Sequence, residues 1–210
     1  MVAAALITLM AVPRIVAGRI DLWAALPVSF MAMTMISLAA MAWGSRAGMC
    51  GLFPDRRMLW PGLWAGLILG FAMGVIYHLY LDPVLRTALA STSGPKALSL
   101  RYPLSLTGGL ALILWVAGFE TMFFQAGSLS FFSRLTPHAW LAIVGAVSFR
   151  TMVTSLQISQ AGVVDAFPLF LVQAAATSTV ACILFARAGL PAAMLFAATV
   201  TAHVLLPRMP

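Results

Sequence analysis

Long apolar runs, each ended by charged residues, proline or glycine, are the main pattern in this chain. A helix needs about 20 mostly apolar residues to cross the hydrocarbon core of a bilayer. The runs are continuous rather than alternating, which favours helices over the strands of a barrel. Six runs are clear predicted spans, at residues 22–43, 60–81, 103–126, 139–157, 163–186 and 190–206.

The N-terminal run, residues 2–18, is shorter and contains Pro13 and Arg14. A secretory signal peptide would carry its positive charge before the apolar run, whereas here Arg14 and Arg19 follow it. We therefore predict that this segment either crosses the bilayer as a seventh span or lies on the membrane surface.

The breaks between runs predict one domain. The longest, residues 82–102, contains the sequence STSGP at 91–95, which is typical of a loop. The other breaks are short, so neighbouring helices should be antiparallel, and no boundary indicates a second domain. We predict a single all-α membrane domain over residues 1–210, a polytopic transmembrane helical bundle with six spans and a possible seventh at its N-terminus.

Composition supports this class. Of 210 residues, 62% are hydrophobic and only 8% are charged, whereas charged residues make up about a quarter of a soluble domain. A soluble enzyme, a disordered chain and a disulfide-stapled secreted module are therefore excluded. We expect a multi-pass protein of a bacterial inner membrane, in contact with the lipid bilayer and with other membrane protein subunits.

The net charge of +7 does not indicate nucleic acid, because the basic residues are scattered singly and form no stripe with aromatic residues. Basic residues at helix ends instead anchor the chain at lipid headgroups. With the N-terminal segment counted as a span, five basic residues fall on one side and six on the other. The positive-inside rule therefore gives no orientation.

Four glycines at four-residue spacing predict a close helix contact. Gly62, Gly66, Gly70 and Gly74 share one face of the 60–81 run. Small residues let helix backbones approach closely in lipid. We favour a partner helix within the chain over one from another chain, and we expect a tight bundle with little room for a wide aqueous channel.

Only two charged residues lie well inside predicted spans, Glu120 and Arg150. They lie 14 residues before and 16 residues after Arg134, near which the two helices join. At about 1.5 Å per residue, their depths differ by only about 3 Å. The pattern leaves two alternatives: a structural ion pair between them, or Glu120 as a protonatable base in a buried site.

Other polar residues have less specific interpretations. We interpret His78 and Tyr80, near Asp82, as interfacial anchors, whereas His203 lies deeper in the last run. Gln125, Gln157, Gln160 and Gln173 either satisfy one another or line a small polar pocket. The chain has no HExxH zinc pair, no GxSxG elbow and no glycine-rich phosphate loop, and we predict neither a metal nor a cofactor.

The segment ETMFFQAG at 120–127 resembles the E-E-x-x-F-R-G motif of the CPBP family, the CAAX-protease and bacteriocin-processing membrane proteins. The following RLTPHAW at 134–140 is similar to the family's short link. Phe149 stands where the F-x-x-x-H motif begins, and His203 stands where the H-x-x-x-N/D motif begins. The resemblance covers about residues 40–207, the CPBP-like core.

The resemblance implies an intramembrane endopeptidase site in which a Glu activates water, His residues assist, and an Asn or Asp binds the developing oxyanion. Glu120 and His203 match the first Glu and the last His. Four motif positions differ: the second Glu is Thr121, the Arg is Gln125, the middle His is Val153, and the final Asn or Asp is Pro207.

The replaced Glu and Arg are four residues apart and so share a helix face. Because both are replaced, neither charge is left buried without its partner. Arg150, next to the second motif, can neutralise the remaining Glu120. A carboxylate held by Arg stays ionised but is a weak base. We therefore favour a non-catalytic CPBP-like scaffold or binding component of a membrane complex. The alternatives are a divergent glutamate-dependent intramembrane endopeptidase and, less favoured, a small transporter.

Overall fold

The computed structural model describes residues 2–17, 20–44, 52, 54–92, 102–103, 105–161 and 167–206. Within these ranges the regular structure consists of seven helical stretches and no strand. The prediction of an all-α fold is therefore confirmed.

Nine α-helices, two π-helical segments and one 3-10 turn make up these stretches in the described ranges. The α-helices are α1 (Val2–Ala17), α2 (Leu22–Gly44), α3 (Arg56–Ile76), α4 (Asp82–Thr92), α5 (Leu106–Trp115), α6 (Ser128–Leu135), α7 (Ala139–Ala161), α8 (Phe167–Ala188) and α9 (Leu190–Thr201). A first π segment (Tyr77–Leu81) joins α3 to α4, a second π segment (Val116–Gly127) joins α5 to α6, and a 3-10 turn (Ala202–Leu205) extends α9.

Five helical stretches are long and apolar enough to cross a bilayer: Leu22–Trp43, Arg56–Ala88, Leu106–Leu135, Ala139–Gln160 and Phe167–Ala188. Large apolar side chains cover much of their outer surface, among them Trp23, Met35 and Phe71. Such a surface suits lipid rather than water, since a soluble monomer rarely exposes contiguous apolar patches of this kind. The structure thus supports an integral membrane protein.

The prediction of six clear spans is not confirmed, because the run at 190–206 forms a shorter helix. It has twelve residues of α-helix and four of 3-10 helix, a length of about 26 Å, against about 30 Å of hydrocarbon. The N-terminal helix is also in this shorter class. Its length leaves both predicted positions open, across the bilayer or along its surface.

The predicted loop at 82–102 is wrong for its first part, because the helix continues through Asp82 to Thr92. The first π segment makes this continuation possible. Pro83 has no N–H to donate, and the backbone N–H of Asp82 bonds to the carbonyl of Tyr77, five residues earlier. A wider turn before proline relieves the clash that its ring would cause in a regular helix.

The glycine seam of α3 packs against α9 of the same chain. A Cβ atom built on Gly66 would lie 2.5 Å from the carbonyl oxygen of Ala192, and one on Gly70 would lie 2.8 Å from that of Phe196. Only glycine therefore permits this approach of the two backbones. The core beside the seam contains Phe185 and Phe196, both completely buried.

Helices α8 and α9 are joined by Gly189 alone, whose φ is 82°. Residues with a Cβ rarely adopt this left-handed conformation, whereas glycine does so at no steric cost. This one-residue turn folds α9 back between α3 and α8, where its apolar side chains complete the core.

We predict that Gly66→Ala lowers the stability of the protein by about 1–3 kcal/mol, the usual cost of overpacking. The added methyl group meets backbone, which cannot rotate away as a side chain could. Gly74→Ala is the matched control, because its Cβ would meet its nearest atoms at 3.4 Å. Thermal unfolding in detergent should show a lower Tm for Gly66→Ala and little change for Gly74→Ala. Equal effects would contradict the seam as described.

Candidate functional site

The second π segment carries Glu120. Two other side chains of the segment donate hydrogen bonds to backbone carbonyl groups of the segment itself. The hydroxyl of Thr121 donates to the carbonyl of Val116 at 2.9 Å, five residues earlier. With its amide nitrogen towards the backbone, Gln125 donates to the carbonyls of Glu120 at 3.1 Å and Thr121 at 2.9 Å. A wide π turn weakens the regular bonding of such carbonyls, and short π segments in helices frequently mark functional sites.

Glu120 forms an ion pair with Arg150 of α7, with 2.7 Å between Oε2 and Nη2. Its other oxygen, Oε1, accepts a hydrogen bond from Trp115 Nε1 at 3.1 Å. The guanidinium also lies over the ring of Phe124, 3.9 Å from its centre. Charge-assisted bonds of this kind are roughly twice as strong as neutral ones. Both carboxylate oxygens of Glu120 are thus engaged by donors.

Beside this pair lies a cavity of about 560 Å³, lined by α1, α5, the second π segment, α7, α8, α9 and the 3-10 turn. Many of its lining side chains are polar: Arg14, Tyr102, Glu120, Thr121, Gln125, Arg150, Thr154, Gln157, Gln173, Thr177, Ser178, Thr201 and His203. The small-residue spacing predicted a tight bundle. The backbones of α3 and α9 do pack closely, but on its other side α9 presents Ala197 and Thr201 to the cavity.

His203 also lines the cavity, but its imidazole is held by other groups. Nε2 lies 3.3 Å from Oδ1 of Asp82, and Nδ1 bonds to the carbonyl oxygen of Val200. Both ring nitrogens therefore face oxygen acceptors. Tyr77 packs edge-on against the ring, with 6.1 Å between the ring centres.

Asp82 is the centre of a second buried polar cluster. Its Oδ1 accepts a hydrogen bond from the hydroxyl of Tyr102 at 2.8 Å. Its Oδ2 lies 3.9 Å from both His78 Nδ1 and Arg86 Nη2, too far for hydrogen bonds but close enough for electrostatic attraction. The Arg86 guanidinium in turn lies over the ring of Tyr102.

The two predicted interfacial anchors differ in exposure: Tyr80 is 71% exposed, whereas the side chain of His78 is only 10% exposed and lies beside the buried Asp82. The sequence did contain a signal for the cluster. His78 and Arg86 lie four residues before and after Asp82, and groups at this spacing share one face of a helix. The apparent loop that begins with Asp82-Pro83 hid this pattern.

The motif positions of the CPBP resemblance come together only in part. Glu120, Thr121, Gln125 and His203 line the one cavity. Val153 is not among its lining residues, and Pro207 lies outside the described residues. Of the four glutamines singled out in the sequence, Gln160 is exposed and the other three line the cavity.

Among the residues that the structure describes, no group of three or more His, Cys, Asp or Glu side chains is arranged to hold a metal ion. Compared with protein-family models, curated proteins and solved structures, the chain has no significant match.

We predict that Glu120 and Arg150 contribute to stability as a coupled pair. Arg150→Gln should destabilise the protein, because it leaves a partly buried carboxylate without its cation. The double variant Glu120→Gln with Arg150→Gln should recover part of the loss, giving a coupling of about 1–2 kcal/mol in a double-mutant cycle measured by thermal unfolding. Additive effects of the two substitutions would show that the interaction between the two side chains does not contribute to stability.

We predict that Asp82→Ala destabilises the protein by about 3–5 kcal/mol, because it removes the acceptor of Tyr102 and the counter-charge of His203 and Arg86. Asp55→Ala is the matched control, since Asp55 is exposed before α3 and makes no side-chain cap hydrogen bond. In thermal unfolding, its free energy of unfolding should stay within about 0.5 kcal/mol of the wild-type value. A similar fall for both variants would contradict the role of the buried cluster.

Proposed function

We propose that this chain is a multi-pass protein of a bacterial inner membrane with a CPBP-like core that binds without hydrolysing. It serves as a binding, scaffold or assembly component of a membrane protein complex. The cavity is the binding site, and the apolar outer surface of the bundle is available to lipid and to other subunits.

The engagement of both carboxylate oxygens of Glu120 carries this proposal. A general base needs a lone pair directed at the water that it deprotonates. In Glu120 one oxygen pairs with Arg150 and the other accepts from Trp115. The imidazole implied as helper, His203, is held by Asp82 and by the Val200 carbonyl. Both groups are held by partners within the chain, and this arrangement favours a structural role over the activation of water.

The two substituted motif positions support the same conclusion. The side chains of Thr121 and Gln125 are used to satisfy carbonyls of the second π segment. They replace a carboxylate and a guanidinium of the family motif with groups that stabilise the backbone. Two charged groups that the CPBP resemblance implies are therefore absent from the site.

A divergent glutamate-dependent endopeptidase is the second candidate, and one observation favours it: Glu120 and His203 line the same cavity. A peptide that displaced Arg150 from Glu120 would then contact both the carboxylate and the imidazole in one cavity.

We predict that the purified protein in lipid nanodiscs cleaves neither a prenylated peptide nor a transmembrane peptide, as measured by mass spectrometry of the products. Glu120→Gln serves as the comparison. Cleavage by the wild type that disappears in Glu120→Gln would overturn the proposed function and establish the endopeptidase.

A role as an assembly component predicts that the chain purifies together with other membrane proteins. Purification under native conditions should recover the chain in a fixed ratio with other membrane subunits. The double variant Glu120→Gln with Arg150→Gln should leave that ratio unchanged, because it removes the ion pair without leaving an unpaired charge. Recovery of the chain alone at every detergent concentration would contradict a role as an assembly component.

A further inference from the structure

Two buried hydroxyl groups in the cavity wall do not bond to the backbone of their own helices. In a helix, the hydroxyl of Thr or Ser can donate to the carbonyl group four residues earlier. Thr151 of α7 and Thr177 of α8 do so. The hydroxyls of Thr154 and Ser178 line the cavity and, among the described residues, have no nitrogen or oxygen partner. Because an unsatisfied buried hydroxyl is costly, a ligand that bonds to both is favoured.

The two hydroxyls can serve one small headgroup. Thr154 lies seven residues before the end of α7 and Ser178 eleven residues after the start of α8, the helix that packs beside it. At about 1.5 Å per residue, their depths differ by about 6 Å. Ser178 is only 1% exposed, and its one close polar neighbour is the thiol of Cys182, a weak hydrogen-bonding group. Each hydroxyl can therefore still donate one bond and accept others.

The charged groups of the lining interact with one another. Glu120 pairs with Arg150, and the same carboxylate attracts Arg14. A ligand with a charged headgroup would compete with these interactions, and burying a further charge without a partner of its own is costly. The lining thus favours an uncharged headgroup that both donates and accepts hydrogen bonds, as a hydroxyl group does.

The cavity also has an apolar part and an opening. Leu112, Val116, Ile158 and Phe170 supply apolar lining. Within the described ranges, α5 packs against α1 and the second π segment but not along α7. Gln157 of α7 is exposed and also lines the cavity, which places it at the opening. Since α5 and α7 both belong to stretches that can cross a bilayer, an opening between them is reached from the lipid.

We propose that the cavity binds an uncharged amphiphile from the bilayer, with one aliphatic chain and a headgroup that carries hydroxyl groups, as in a glycerol monoether or monoester. The headgroup bonds to Thr154 and Ser178, and the chain lies on the apolar lining. The volume of about 560 Å³ is in the range of pockets that hold one small molecule, which favours one chain over two. This inference rests on the proposed non-hydrolytic binding function.

The test uses the full chain in nanodiscs of zwitterionic lipid and a dodecyl glycerol ether whose chain carries a photoreactive diazirine. The ether bond keeps the probe intact even if the protein hydrolyses esters. After illumination, mass spectrometry locates the labelled residues. Decyl glycerol ether, decyl methyl ether, decanoate and decyltrimethylammonium compete at equal mole fractions in the lipid. We expect labels on the cavity lining, with competition by the glycerol ether and not by the other three.

The double variant Thr154→Val with Ser178→Ala removes both hydroxyls and should reduce this labelling about tenfold, since two neutral hydrogen bonds are lost. Thr151→Val with Thr179→Val is the matched control and should label like the wild type. Its two hydroxyls bond to backbone carbonyls of the same helices, and neither residue lines the cavity. Thermal unfolding shows whether each variant is folded. If the first is not, the competition series on the wild type decides the question.

Labelling outside the cavity, equal competition by decyl methyl ether or by either ion, or undiminished labelling of the folded variant at Thr154 and Ser178 would each overturn this inference. Those results leave the proposed function standing, because its own test is the absence of Glu120-dependent cleavage. Cleavage of a peptide that depends on Glu120 would overturn the proposed function whatever the amphiphile assay shows.

Discussion

A carboxylate inside an apolar bundle requires a cation or donor from another part of the chain, and two such carboxylates organise this structure. Burying an ion is costly unless it is paired and hydrogen-bonded. Glu120 ties the second π segment to α7 through Arg150. Asp82 ties the start of α4 to Tyr102 and, through His203, to the 3-10 turn that follows α9. Members of both clusters line the cavity, which therefore lies between two fixed polar points.

The two π segments lie at the same places in the chain as these two carboxylates. Each occurs near a carboxylate that is shielded from the surface: the buried Asp82 just after the first segment and the partly buried Glu120 within the second. A wider turn changes the direction of the side chains that follow and loosens the backbone bonding, so the carbonyls need other donors. Thr121 and Gln125 supply them in the second segment. Thr121 and Gln125, which stand at two altered positions of the motif resemblance, thus stabilise the backbone of the segment.

Tight packing and an open cavity coexist because α9 uses different parts of its surface for each. Gly66 and Gly70 bring α3 against the backbone of α9, and this contact needs no side-chain volume. Ala197 and Thr201 leave space on the cavity side, where longer side chains would fill it. Small residues therefore serve both purposes: they allow close approach of two backbones in one place and leave a void in another. In lipid, where no hydrophobic effect drives helices together, such shape-based packing is a main source of association.

The sequence alone determined the all-α membrane class, most helix positions, the glycine face of α3 and the matching depths of Glu120 and Arg150. These follow from hydrophobicity, helical periodicity and rise per residue, which are local properties of the chain. The sequence misplaced Asp82 in a loop, because a π segment before Pro83 has no signature in apolar run length. It also counted residues 190–206 as a full span, although a helix of that many residues is shorter than the hydrocarbon core. Only the tertiary structure brought Arg14 to the cavity and paired His203 with Asp82, more than a hundred residues away. Contacts between distant segments depend on how helices pack, and packing is decided by the complementary shapes and charges of several helices together.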